Sequence, residues 1–423
     1  MDGKGYLKMR QRSCLRILFV GYADSLHTAR WTSQLTGQGW DLHLFAGTHP
    51  KPNKELRGLT VHRLVQSPLS RGNVAQKAIH WPFRRGETRV TTLLEHMERY
   101  SPPARLARLV DELRPDIVHS LEMQLGGYLT WQARQRCLSP FPTWIYSSWG
   151  SDIFYFGRMA EHQQRIRDVL SHCDYLITDC HRDVKLARDF GFNGELLGIY
   201  PAGGGFELAK MRAFRQPGSI ATRRTIAVKG YNGGRFEARG LVAIEALRLC
   251  AQQLQGYEVV VYSAAPDVAA AVENLKYTCG VQARVLPQSS HSDIVQLMGH
   301  SLIAIGLGMS DGSPNTLLEA MIMGAFPIQS DTISTREWIE SGSNGILVPP
   351  EDPQAVAEAV RRVLTHPSLV EPAAEINNRI ADERLDRERI RCEVVSLYER
   401  MGNCRPATQK SVEIGFSPRN KAL

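Results

Sequence analysis

The strongest restriction on how this chain folds is a nearly unbroken alternation of short apolar strands with amphipathic helices. It is interrupted once, by three consecutive glycines. Before the break stand "RILFVGY" (residues 16–22), "DLHLFAG", "LTVHRLV", "DIVHSLE", "TWIYSSWG", "YLITD" and "ELLGIY". After it come "TIAVKGY" (residues 225–231), "YEVVVYSA", "ARVLP", "LIAIGLG", "FPIQS" and "GILVPP". Strands apolar on both faces, separated by helical periodicity, build α/β domains with parallel sheets. The break, "PAGGGFEL" from Pro201 to Leu208, therefore divides two Rossmann-like doubly wound halves. At 423 residues the chain exceeds the roughly 250–300 residues at which single cores stop growing. The expected units are 1–203, 204–380, a helix 381–401 that packs back on the N-terminal half, and a basic tail 402–423 without regular structure. A long helix from about Gly157 to Cys173 is also expected. Two facing sheets of this kind put a ligand cleft beyond the carboxyl ends of their strands.

With 43% hydrophobic and 22% charged residues, the chain reads as globular, and no apolar run reaches the roughly 20 residues of a membrane span. The N-terminal "CLRILFVGYA" carries Arg16 inside it and Asp24 beyond it, which suits a buried first strand rather than a secretion signal. A cytoplasmic location is expected. Eight cysteines without a Cys-x-x-Cys pair form neither a disulfide framework nor a zinc site. The net charge of +8 is uneven: nine basic residues from Lys51 to Arg89 face only Glu55 and Glu87. Such a stretch is either a solvated loop region or a basic face toward anionic lipid, worth about 1 kcal/mol per cation near that surface. The second reading implies attachment to the inner membrane face, or a phosphate-bearing acceptor. Nucleic acid is not an expected partner, because no recognition-helix pattern accompanies the charge.

"SDGSPNTLLEAMIMGAFP" (Ser310–Pro327) carries the chemistry. Ser313 reads as an N-cap, Pro314 as the first helical residue and Gly324 as the stop. Gly312, Ser313, Pro314, Asn315 and Thr316 then form a helix entry whose open N–H groups favour a phosphate. Asp311 lies just before it. Glu319, inside the helix, reaches a second group about 8–10 Å away at about 1.5 Å rise per residue. Either acid alone reads as a turn residue or a solvated helix residue. Both together, around a Ser-Pro entry, suit a nucleotide sugar, with Asp311 toward the sugar and Glu319 toward the ribose. No Asp-x-Asp and no His/Cys ligand set is apparent, so neither metal nor cofactor is expected. The "GLGMSDG" glycines lack the acid that a dinucleotide site needs.

"DGSPNTLLEAMIMGAFPIQSD", followed by "GILVPPEDPQAVAEAV", resembles the family-4 glycosyltransferases of GT-B fold, of the bacterial group 1 type. Their signature is two glutamates separated by seven residues, then Ala-Met, Gly and Pro. Asp311 stands in for the first glutamate, one methylene shorter. The resemblance implies a retaining, metal-independent transferase that moves a sugar from a nucleotide diphosphate to a glycan or lipid-linked acceptor; UDP is favoured over GDP, although nothing in "SDGSPN" separates the two. Cell-surface polysaccharide or glycoconjugate synthesis is the implied setting. The family also places an Arg and a Lys on the diphosphate, after the first strand of the second domain. In "VKGYNGGRFEARG" the choices are Arg235 and Arg239, with Lys229 as rival and with Gly233 and Gly234 letting the backbone approach phosphate. Catalysis is thus assigned to Asp311, Arg235 and Arg239. The acceptor is assigned to the N-terminal half: His27, Arg30, His119, Trp149 and Asp152, although a lone histidine such as His119 is more often a satisfied structural residue. Trp149, in "SSWGSDI", replaces a family histidine; its indole donates a hydrogen bond but transfers no proton, and it reads equally as core. Asp152 reads equally as a helix cap. The remaining alternatives are a nucleotide-sugar 2-epimerase and a non-catalytic binding protein on the same fold.

Overall fold

A computed structural model of the chain describes residues 14–48, 51–63, 101–233 and 238–403. Arg235, Gly234, most of the basic region and the tail lie outside the described residues. The first sheet comprises β1 (Arg16–Gly21), β2 (Asp41–Ala46), β3 (Thr60–Arg63), β4 (Ile117–Leu121), β5 (Thr143–Ser147), β6 (Tyr175–Thr178) and β7 (Glu195–Ile199). Its spatial order is β3-β2-β1-β4-β5-β6-β7, every pair parallel. The second comprises β8 (Thr225–Lys229), β9 (Glu258–Tyr262), β10 (Gln282–Val285), β11 (Ser301–Gly306), β12 (Phe326–Ser330) and β13 (Ile346–Val348). Its order is β10-β9-β8-β11-β12-β13, again parallel. Central strands such as β4 and β11 are buried along their whole length, as helices on both faces require.

Both orders reverse direction beside the first strand, between β1 and β4 and between β8 and β11. Open α/β sheets offer their ligand crevice at that switch point. There stand His27 in the first turn of the helix after β1, Lys229 at the end of β8 and Asp311 in the loop after β11. Six helices matter below: α1 (Leu26–Ser33), α2 (His181–Asp189), α3 (His291–His300), α4 (Asn315–Met323), α5 (Val370–Arg384) and α6 (Arg387–Asn403).

The C-terminal helix expected at 381–401 is instead two helices, broken at Leu385–Asp386. The break is made by the glycine linker. Phe206 N–H donates to Leu385 O at 2.8 Å and Arg387 N–H to Phe206 O at 3.1 Å, so the crossing strand takes the bonds that a continuous helix would use. Gly205 has a φ of +84°, and a Cβ there would lie 2.8 Å from Leu385 O, which excludes any other residue. Beyond the break, α6 lays Ile390, Val394, Leu397 and Tyr398 on Ile17, Phe19, Leu42 and Leu44 of the first sheet. The long helix expected from about Gly157 is a 3-10 turn, Phe156–Arg158, followed by a helix over Ala160–Leu170. Among the described residues no helix is long and apolar enough to cross a membrane.

Candidate active site

The loop between β11 and α4 departs from expectation at Ser313. Pro314, not Ser313, is the N-cap, and no side chain caps α4. Ser313 is used across the interdomain cleft: its Oγ donates to Asp179 O at 2.5 Å and its N–H to Asp179 Oδ2 at 3.2 Å. Trp338 Nε1 donates to the same hydroxyl at 3.1 Å. A hydroxyl engaged twice has no geometry left for capping, and the helix end keeps its positive dipole for a ligand. Asp311 lies just ahead, its Oδ2 3.9 Å from Lys229 Nζ. Arg239 turns instead to Glu351, Nη2 to Oε1 at 2.9 Å. Of the cations put forward, Lys229 is the one the described fold brings to Asp311; Arg235 lies outside the described residues.

Glu319 is nearly enclosed, and its Oε1 is 2.6 Å from His291 Nε2. His291 Nδ1 is in turn 3.2 Å from Arg30 Nη2, a group of the other domain. Guanidinium only donates, so Nδ1 is the acceptor and Nε2 carries the proton donated to Glu319. One neutral imidazole thus links α1 to α4. Nothing in the local sequence marked His291; the one available signal was its place in the first turn of α3, which has its own capping box at Ser290 and Asp293. Beside this turn Tyr262, Ser263, Ala264, Val285, Leu286, Pro287, Gln288, Ser289 and Ile294 line a cavity of about 360 Å³. Ser263 holds a φ of +51° there, a conformation that L-residues adopt at a cost and that clusters at ligand sites.

The two domains meet around Arg182, also unmarked in the sequence. Its Nε binds Asp183 Oδ1 at 2.8 Å and its Nη2 the Gly150 carbonyl at 2.8 Å, within its own domain. Its Nη1 reaches the Asp311 carbonyl at 3.2 Å in the other. Contact is so close that a Cβ on Gly150 would lie 2.1 Å from Gly312 N, and one on Gly312 2.1 Å from Asp179 Oδ1. Asp179, Cys180 and Asp183 stand within 4.8 Å of one another, the kind of set that holds a metal ion. Here burial pushes the Cys180 thiol far up and Arg182 already answers the acids, so the set fits a structural junction rather than a cation.

Burial, and then the charge of Asp183, raise Asp179 to about 7. Its folded pKa lies above an unfolded value near 3.9, so its contribution to stability is complete below about pH 4 and is lost as pH rises to about 7. The stability difference between Asp179→Asn and wild type should therefore grow in favour of the variant from pH 5 to 7, by at most about 1.4 kcal/mol per pH unit. It should level off above pH 8. Urea titrations at each pH read this, and a difference independent of pH would contradict it.

Two residues assigned to the acceptor are not open to it. His119 is fully buried between Tyr398 Oη, at 2.5 Å from Nδ1, and Ser147 Oγ, at 2.7 Å from Nε2. Trp31 Nε1 donates to the same phenol at 3.2 Å, so Tyr398 donates to His119, whose Nε2–H passes to Ser147. Burial lowers the imidazole to about 3 and keeps it neutral. Asp152 is also buried; its Oδ2 accepts from Met123 N, Trp149 N and Tyr146 Oη at 3.0 to 3.1 Å. Burial and Glu122 hold its carboxyl well above the usual range. It pins three segments together, as a cap would. Trp149 is half-buried, with its ring 5.3 Å from that of His27. His27 has its Nδ1 enclosed without a partner among the described residues; burial and then Arg30 lower its imidazole, with Asp311 and Glu319 acting against them across the cleft.

A family model described as "Glycosyl transferases group 1" matches residues 234–366, and one described as "Glycosyl transferase 4-like" matches residues 16–84 and 94–179. No curated protein sequence matches the chain. Among solved structures, sucrose-phosphate synthase from Thermosynechococcus elongatus is similar with a TM-score of 0.64 at 17% identity, covering 92% of this chain and 99% of that one. HepE from Anabaena, in complex with UDP and glucose, is similar with a TM-score of 0.62 at 15% identity, covering 91% and 100%. A glycosyltransferase from Rickettsia africae gives 0.63 at 12% identity, covering 92% and 99%. Likeness at these identities speaks for the fold, and the two family models speak for the kinship. The chain belongs to the group 1, glycosyltransferase 4-like family and has its GT-B architecture of two facing Rossmann-like domains.

Proposed function

We propose that this protein transfers a sugar from a UDP-sugar to a glycan or lipid-linked acceptor with retention of anomeric configuration. The observation that carries the reading is the uncapped start of α4 at the switch point, with Asp311 and Lys229 on one side and Glu319 with His291 on the other. The diphosphate sits at the helix end, the transferred sugar by Asp311, the ribose by Glu319, and the base in the cavity lined by Tyr262 and Leu286. Gly312, Asn315 and Thr316 offer backbone to the phosphates, and Gly233 extends the same approach from the β8 loop. The acceptor hydroxyl attacks the anomeric carbon on the face from which the diphosphate leaves. As the bond to the phosphate oxygen breaks, that oxygen takes the hydroxyl proton, and no histidine base is needed. Lys229 and the dipole of α4 meet the negative charge growing on the leaving group, the chief electrostatic demand of such a step. Arg235 and Arg239 are the further cations of this loop; Arg239 would exchange Glu351 for phosphate. His27, Arg30 and Trp149 border the acceptor side. Complexes of HepE with UDP and with UDP-glucose support the choice of nucleotide. The setting proposed is cell-surface polysaccharide or glycoconjugate synthesis at the cytoplasmic membrane face, with Lys51–Arg89 as the basic contact.

A thermal-shift panel of UDP, GDP and their sugars tests this. A ligand at 100 times its Kd stabilises the folded state by about 2.7 kcal/mol. UDP and at least one UDP-sugar should raise the Tm more than their GDP counterparts. No shift with any nucleotide would sink the donor reading.

A further inference from the structure

Glu319 is held by a residue outside its own helix. His291 Nε2 donates to its Oε1 at 2.6 Å, and Arg30 Nη2 donates to His291 Nδ1 at 3.2 Å. The three groups run from α1 of the first domain, through the first turn of α3, to the second turn of α4. Only 4% of the Glu319 side chain is exposed. Its other oxygen, Oε2, has no hydrogen-bond partner among the described residues and is not sealed off. We propose that His291 is a positioning residue for the donor ribose: it holds one oxygen of Glu319 so that the other meets the ribose hydroxyls, and Arg30 fixes its tautomer from across the cleft. The proposal rests on the transferase reading above and makes donor recognition depend on the docking of the N-terminal domain.

Three features set this contact apart from ordinary packing. First, a neutral imidazole has one donor and one acceptor, and the partner of one nitrogen decides the state of the other. Because guanidinium only donates, Arg30 leaves the proton on Nε2, the tautomer that a carboxylate requires. Without Arg30 the proton is free to move to Nδ1, and Nε2 then turns a lone pair toward the acid. Second, both supports of the imidazole are fixed in place. Its backbone stands in a turn closed by the Ser290–Asp293 capping box. Arg30 is committed only loosely elsewhere, with Nε 4.0 Å from Oε2 of the exposed Glu55. Burial lowers its guanidinium, and Glu319 acts against that across the cleft, so cation and acid are coupled with the imidazole between them. Third, a carboxylate with so little water left depends on each donor it keeps. His291 supplies one at Oε1, and the ribose supplies the other at Oε2.

The test is calorimetry on the full chain with UDP, 2′-deoxy-UDP and 3′-deoxy-UDP, for wild type, His291→Leu, His291→Gln and Arg30→Met. His291→Leu should bind UDP about tenfold more weakly, the scale of one lost hydrogen bond to a charged group. At least one deoxynucleotide should bind wild type and His291→Leu nearly alike, because the hydroxyl that Glu319 receives is already gone. His291→Gln, whose amide both donates and accepts, should restore most of the UDP affinity. Arg30→Met should weaken UDP severalfold alone, and no further when combined with His291→Leu. Unchanged UDP affinity in His291→Leu would overturn the proposal. So would an equal loss for UDP and both deoxynucleotides, which packing alone would give. Nitrogen-15 NMR of the imidazole reads the link without any nucleotide. The proton should sit on Nε2 in wild type and redistribute in Arg30→Met, and a wild-type proton on Nδ1 would also overturn the proposal. A wild type that binds no UDP would instead fall on the donor reading, while the imidazole spectrum still decides whether Arg30 sets the tautomer.

Discussion

Arg182→Met is expected to destabilise the protein by about 3–5 kcal/mol, the usual cost of removing one partner from a buried ion pair. Asp183 is wholly buried, with Oδ1 on Arg182 Nε and Oδ2 accepting from Ser148 Oγ at 2.9 Å. Without the guanidinium, Asp183 is left as an uncompensated buried charge beside Asp179. Arg182→Lys restores the charge but not the planar fork. It cannot span Gly150 O on one domain and Asp311 O on the other. Lys should therefore recover most of the stability while turnover stays low, by up to about a hundredfold if the Asp311 loop shifts by about 1 Å. The double variant Arg182→Met, Asp183→Asn should regain part of the lost stability, since it no longer buries a lone charge. Urea unfolding and single-turnover rates read the two effects separately. An Arg182→Met protein of wild-type stability would refute the account.

The second large effect is expected at Asp311. Asp311→Asn and Lys229→Met should each lower kcat by about 10²- to 10³-fold, the range for deleting one group that meets charge in the transition state. The binding split differs between them. Asp311→Asn should leave UDP affinity near that of wild type, because the proposed reading sets Asp311 against the transferred sugar. Lys229→Met should weaken UDP as well, because the proposed reading sets Lys229 against the diphosphate. Glu319→Ala should weaken UDP too, and also free His291 from its 2.6 Å contact. Calorimetry with UDP, beside rates with labelled UDP-sugar, separates these outcomes; equal turnover by Asp311→Asn and wild type would remove Asp311 from the chemistry.

Much of this was written locally. Alternating strands and helices with one glycine break dictate two parallel doubly wound sheets, because a strand apolar on both faces has only such a place to go. Glu319 is placed on the second turn of α4 by helical rise alone, and Asp311 by standing in the short loop just before the helix. The glycines at 204 and 205 mark the crossing because only that residue type accepts its φ. What the sequence left open was decided by partners far away along the chain. Arg182 meets the Asp311 loop across 129 positions, and Arg30 meets His291 across 261; no periodicity records either pairing. His119 and Asp152 have the residue types of a reactive site, yet packing of α6 and the turn after β4 closes over them. Ser313 has the sequence of a cap, yet its hydroxyl is claimed by the backbone carbonyl of Asp179 from the other domain. Spacing within one element is set by backbone geometry and can be read from the chain. Which side chain ends up enclosed, paired or open to a ligand depends on how two domains and a returning helix come together, and that is decided only in the folded molecule.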